Sequence, residues 1–207
     1  MEDMRPEIDT PITWMHNKEK PFDSLKAEIE KCDACLLCKG AKNRVVGEGN
    51  LNAAVVFVGE APGRSEDETG RPFVGSAGKL LDKLFSNASL KRGDVFISNI
   101  VKCRPPNNRK PKKDEIEACS SHLEKLLGLI RPKVVAPMGN SSLEYFYEKY
   151  GLEGVVIGDA HGKPVKILAS WGEAILFPLY HPAAAIYNRK LLGKLRVDMA
   201  SLTELIK

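Results

Sequence analysis

The run Ala53–Val58, AAVVFV, leads directly into Gly59-Glu60-Ala61-Pro62-Gly63, and these eleven positions decide how the chain is read. A short, continuous apolar run rich in valine suits a strand buried on both faces. The turn after it contains Gly and Pro and ends the strand sharply. Three further runs share that character: Val95–Ile100 (VFISNI), Lys133–Pro137 (KVVAP) and Ala174–Leu179 (AILFPL).

Helical patterns separate the runs. A short helix is expected after Asp23 as its cap, with Phe22, Leu25 and Ile29 on one face. The spacing predicts another over Ser76–Ser86, capped by Ser76. A longer one lies between the second and third runs, with Asp114 and Glu117 as its capping box, and one more begins at Ser141. An amphipathic helix from about Lys190 ends the chain. Strands alternating with helices predict a three-layer α/β/α domain around a central four-stranded parallel sheet. In open sheets of this kind ligands bind at the carboxyl ends of the strands. The site is therefore expected among Gly59–Gly63, Asn99, Gly139-Asn140-Ser141 and Tyr180-His181-Pro182.

The 207 residues suit one domain, assigned to 22–207, with 1–21 as a loose leader holding three prolines and no periodicity. No apolar run is long enough to span a bilayer, and the acidic start has no signal-peptide pattern. A cytoplasmic monomer is expected. The net charge of +4 fits nucleic-acid binding and also fits many metabolic enzymes, so its local placement matters more.

Two features are local. Cys32 and Cys35 form a C-x-x-C pair, Cys38 extends it, and Cys103 and Cys119 lie far downstream. In a reducing compartment such spacing points to a metal or cluster site rather than disulfides. Zinc, an iron–sulfur cluster and, for Cys119, plain burial beside Ile116, Leu123, Leu126 and Ile130 all stay open on spacing alone. The second feature is Lys102–Lys113, KCRPPNNRKPKK, with six basic residues, three prolines and no acid. Such a loop is either a solvated surface or a footprint for phosphates, and its place beside the expected site favours phosphates.

The segment Gly59–Leu81, GEAPGRSEDETGRPFVGSAGKLL, closely resembles motif one of the iron–sulfur, thermostable family 4 uracil-DNA glycosylases. Asn99 stands four residues before Cys103 as in that family, and His181–Ala185, HPAAA, resembles its motif two. The resemblance covers roughly 22–207 and implies a uracil-DNA glycosylase fold and base excision from DNA. It implies a 4Fe–4S cluster on Cys32, Cys35, Cys103 and Cys119, with Cys38 spare. It further implies a uracil pocket built from Gly59, Glu60, Ala61, Phe73, Asn99 and His181, with His181 donating to the leaving base. Glu60 is the first candidate to orient water and Glu66 the second, because Ala61 stands where some relatives carry Asp or Asn. Candidate DNA contacts are Ser76, Lys79, Arg104, Arg109, Lys110, Ser141, Pro182, Ala185 and Arg189, with Ala185 and Ile186 filling the gap left by the flipped base. A replication-clamp contact is assigned to the leader. Two rivals are a nucleoside hydrolase on the same scaffold, needing no basic loop, and a cluster-bearing DNA-binding protein, giving no abasic product.

Overall fold

The computed structural model describes residues 18–206, so the expected leader and its clamp contact lie almost wholly outside the described residues. Six strands form one mixed sheet: β1 Glu48–Gly49, β2 Val55–Gly59, β3 Phe96–Asn99, β4 Val134–Pro137, β5 Val165–Ala169 and β6 Gly172–Leu176. Their order is β1-β3-β2-β4-β6-β5. The central four are mutually parallel, as the apolar runs predict, and β2, β3 and β4 are buried at every position. The outer two are antiparallel additions that the search for continuous apolar runs passes over. The fourth strand also starts earlier than the expected Ala174, because Gly172 turns β5 back into it at the pair Ala169–Gly172. Burial alternates along Val165–Ala169, as in a strand with one solvated face.

The helices are α1 Glu19–Glu30, α2 Leu37–Gly40, α3 Arg64–Thr69, α4 Ser76–Asn87, α5 Lys113–Ile130, α6 Asn140–Lys149, α7 Ile157–Ala160, α8 Pro182–Tyr187 and α9 Lys190–Ile206. The chain steps from β2 out to β3 through α4 and then returns past β2 through α5 and α6. The right-handed rule for such crossovers therefore puts α4 on one face and α5 and α6 on the other. Contacts follow this division: α4 packs with α8 and α9, and α1 packs with α5. Lys113 to Glu148 and Tyr145 to Glu124 join α5 to α6. Phe57, Phe85, Phe96, Phe146 and Phe177 are fully buried in the core, with the Phe57 and Phe85 rings 4.9 Å apart. Among the described residues no helix is long and apolar enough to cross a membrane.

Several expected boundaries shift. The first helix starts earlier than expected: α1 begins at Glu19, with Asp23 inside it, and Lys18 donates to the Leu51 and Ile130 carbonyls. Gly75, not Ser76, is the N-cap residue of α4. On α5 the box forms two residues earlier than expected, with the Lys112 N–H donating to the Glu115 carboxylate at 2.8 Å.

Gly78, inside α4, faces the backbone of Phe73, where an added Cβ would stand 1.7 Å from the carbonyl oxygen. Helix propensity alone favours alanine over glycine by about 1 kcal/mol. The contact reverses that sign, so Gly78→Ala should lower stability by about 1–3 kcal/mol. Urea unfolding with an unchanged slope would measure it, and a stabilised variant would show that α4 is free to move off the loop.

Candidate active site

The sheet changes direction between β2 and β4, and a cavity of about 470 Å³ opens at the carboxyl ends beside that switch. Glu60, Ala61, Glu66, Phe73, Ser76, Asn99 and His181 all line it. A wider groove of about 640 Å³ runs along the β1 edge past Lys26, Arg44, Glu48 and Arg71, but it contains none of these groups. Gly59 and Asn99 are register partners at the ends of β2 and β3. A Cβ at Gly59 would meet Asn99 Oδ1 at 2.4 Å and the Phe73 ring at 2.7 Å, so glycine there lets the two side chains approach.

Phe73 is buried and sits at φ +50°, a left-handed conformation that a bulky residue keeps only when its surroundings impose it. Glu66 supplies one restraint: its Oε1 accepts from the Val74 and Gly75 N–H groups at 2.9 and 2.8 Å. The expected second candidate for orienting water is thus engaged in holding the loop. Arg92 supplies the other, donating to the Pro72 carbonyl at 3.1 Å and to the Phe73 carbonyl, and it is fixed by Asp82 at 2.6 Å. Sequence reading missed Arg92 because nothing local links it to a loop nineteen residues earlier.

Asn99 is 1 % exposed, and neither Oδ1 nor Nδ2 has a hydrogen-bond partner. A buried amide with both ends unpaired is costly unless a ligand completes it. His181 faces the same space, its ring centroid 5.6 Å from that of Phe73. Its Nδ1 accepts from the Ala183 N–H at 3.1 Å, which leaves the proton of a neutral ring on Nε2. Burial lowers its pKa to about 4, against a smaller opposing pull from Glu66. Gly139, at φ +87°, gives it room, since a Cβ there would lie 3.1 Å from the His181 Cβ.

Glu60 accepts a short hydrogen bond from the Ser141 hydroxyl, across the gap between β2 and α6. Ser141 was expected at a phosphate; here it is buried and orients a carboxylate. Other expected DNA residues divide similarly. Ser76, Lys79 and Arg189 are exposed. Arg104 donates to Asn108 at 2.7 Å, Arg109 makes a two-point pair with Glu115 at 2.6 and 2.8 Å, and Lys110 reaches Glu144 at 2.8 Å. Much of the basic loop's charge is therefore met by the protein's own acids. Pro182 and Ala185 are buried, three residues apart on the inner face of α8, so of the expected gap-filling pair Ala185 packs inward while Ile186 is exposed. The exposed apolar tip is Ile186 and Tyr187, 43 % and 90 % exposed.

All five cysteines line one small pocket with Ile29, Leu37 and Val101. Among the described residues no three Cys, His, Asp or Glu side chains already converge as a metal site. The thiols are close enough to act on one another. Burial pushes Cys103 up to about 12, and negative charge on Cys119, Cys35 and Cys32 adds to the rise. Cys119 is raised by burial first and by Cys35 and Cys32 in turn. An all-sulfur donor set in an apolar pocket fits an iron–sulfur cluster, which four thiolates hold.

The model of the uracil DNA glycosylase superfamily matches residues 46–201. A type-4 uracil-DNA glycosylase of Saccharolobus solfataricus is 44 % identical over 188 residues, covering 88 % of this chain and 85 % of the relative. One from Archaeoglobus fulgidus is 41 % identical over 185 residues, covering 89 % and 92 %. One from Thermotoga maritima is 41 % identical over 175 residues, covering 84 % and 88 %.

The depressed pKa of His181 fixes a sign. Between about 4 and the ordinary 6.5 the unfolded chain binds more protons at this site, so its contribution to stability is complete above 6.5 and is lost as pH falls toward 4. The ring resonances should keep their neutral-form shifts from about pH 8 down to about pH 5. A midpoint near the ordinary histidine value would remove the neutral donor.

Proposed function

Because the chain belongs to the uracil DNA glycosylase superfamily and acts as a uracil-DNA glycosylase in DNA repair, we propose that the cavity between Glu60 and His181 is where it cleaves uracil from DNA. The observation that carries this reading is the buried, unpaired amide of Asn99. Uracil presents an N3–H donor beside an O4 acceptor, and one carboxamide satisfies both. Cytosine presents a donor at C4 and no hydrogen at N3, so the same fixed amide rejects it. Phe73 lies where it can stack on the flipped ring, a contact worth about 1–3 kcal/mol per base.

Cleavage breaks the C1′–N1 bond. The electron pair leaves with uracil, positive charge grows on the sugar, and negative charge spreads to O2. The neutral His181 ring donates from Nε2 to that oxygen, a role it fills without first being protonated. Water then bonds to C1′ and loses a proton. Glu60 is the carboxylate placed to take it: Ser141 engages Oε2, leaving Oε1 for the water. The glutamate thus does from position 60 what Ala61 has no group to do.

The cysteine pocket is read as the seat of a 4Fe–4S cluster on Cys32, Cys35, Cys103 and Cys119. Cys38 lies nearby but adds to the mutual charge effect only at Cys35. Bound there, the cluster would tie α5 and the chain after α1 to the start of the basic loop and hold them in shape.

An oligonucleotide with one uracil, treated with alkali after incubation, tests the chemistry. Strand cleavage is expected at uracil and not at a matched thymine, and His181→Ala should slow single turnover by about 100- to 1,000-fold. Glu60→Gln should slow it by at least about tenfold, and an unchanged rate would assign the water to backbone groups. For the cluster, Cys38→Ser should retain the full iron content and Cys119→Ser should lose it. The opposite pattern would exchange the ligand assignment.

A further inference from the structure

Lys102 is 1 % exposed, yet its Nζ donates only to neutral oxygens: Ser98 Oγ at 2.7 Å and the Asn99 carbonyl at 2.8 Å. No carboxylate pairs with it among the described residues. The Ser98 hydroxyl passes its own proton to the Val46 carbonyl at 2.8 Å, so both acceptors are fixed. Lys102 also faces the cysteines. Its N–H donates to Cys119 Sγ at 3.3 Å, its carbonyl accepts from the Val45 N–H at 2.7 Å, and the residue helps line the cysteine pocket. One residue therefore touches both the uracil-reading residue and the proposed cluster seat.

An ammonium buried among neutral dipoles is costly, and the usual remedy is a nearby negative charge. Here both acceptors are neutral, and the Cys119 sulfur lies 3.3 Å from the Lys102 backbone nitrogen. Four thiolates holding an iron–sulfur cluster would put a net negative charge on that side. Without it the lysine has only the two short contacts to Ser98 and Asn99. The contact to Asn99 is to its backbone, at the last residue of β3, so it sets where the amide begins.

We propose that Lys102 is a positioning residue that couples the cysteine site to uracil reading: the thiolate field seats its ammonium, and the ammonium sets the backbone from which the Asn99 amide projects. The proposal rests on the assignments of Asn99 and the cysteines made above. It assigns the cluster side of the molecule a part in base selection as well as in shaping the basic loop. It also makes the coupling reciprocal, because a ligand that tightens one end must alter the other.

The test uses cluster-loaded Lys102→Met, which keeps length and apolar packing but removes the donors, with Ser98→Ala as a milder variant. Wild-type iron content, melting temperature and affinity for undamaged DNA are measured alongside. Lys102→Met should bind free uracil about tenfold more weakly or worse, and the preference for uracil over cytosine should fall by a similar factor. Ser98→Ala should move in the same direction by less. Uracil added to wild type should perturb the visible circular dichroism of the cluster, and this response should vanish in Lys102→Met. A residue that merely fills space would alter melting without altering selectivity or that spectral response. If Lys102→Met does not take up iron, Ser98→Ala decides, and unchanged uracil selectivity in it overturns the proposal. Asn99→Ala separates the two levels. If it keeps uracil selectivity, the reading of Asn99 is wrong; if it loses selectivity while both other variants keep it, only the coupling is wrong.

Discussion

At the carboxyl end of β2 the backbone of Gly59 lies against the Asn99 amide and the Phe73 ring, with no room for a single extra carbon. The closeness arises from parallel pairing, which puts Gly59 and Asn99 in register on adjacent strands. It then constrains everything around it. Phe73 must come in over a glycine, so its loop turns through a left-handed residue, and Glu66, Arg92 and Gly78 hold that turn from three sides. A pocket wall that is over-determined in this way loses little entropy when a flat ring slides against it.

Charge is distributed by the same economy of space. Inside the pocket Asn99 and His181 present neutral groups, an amide and a desolvated imidazole, and the Glu60 carboxylate is tied by a hydroxyl. Outside it, the basic loop is held by acids of α5 and α6: Arg109 on Glu115, Lys110 on Glu144, Lys113 on Glu148. Glu115 is buried, whereas the two exposed pairs, to Glu144 and Glu148, add little stability individually. They do give a proline-rich segment a defined path between Cys103 and α5, and they reduce the charge it presents to phosphates.

The sheet was legible because buried parallel strands announce themselves as short apolar runs, and the sites at their ends followed from topology. Val165–Ala169 was not, since an edge strand with one solvated face reads as alternation and is easily passed over among loops. Within the site, Asn99 and His181 were legible through motifs adjacent to strand ends. Arg92 and the loop-holding contacts of Glu66 were not, because each meets backbone groups of a segment distant in sequence. A carboxylate that accepts two N–H groups looks, in sequence, like any other carboxylate near a site. The burial of Ala185 was hidden for a related reason: the motif named a segment, and only the helical repeat of α8 decided which of its residues face inward.

The unpaired Asn99 amide explains why such a fold tolerates the cost. Each buried polar atom left without a partner forfeits about 1–3 kcal/mol, and here two are kept in that state by a fixed backbone. The expense is recovered only by a ligand whose donor and acceptor match in order and spacing. A base with the wrong pattern leaves both amide ends unsatisfied and adds its own unpaired groups, so rejection costs it more than acceptance gains the right one. Selectivity of this kind depends on rigidity, because an amide free to rotate would accept either pattern. If Asn99 reads the base as proposed, the restraints on Gly59, Phe73 and the Asn99 backbone are as much part of recognition as the amide itself.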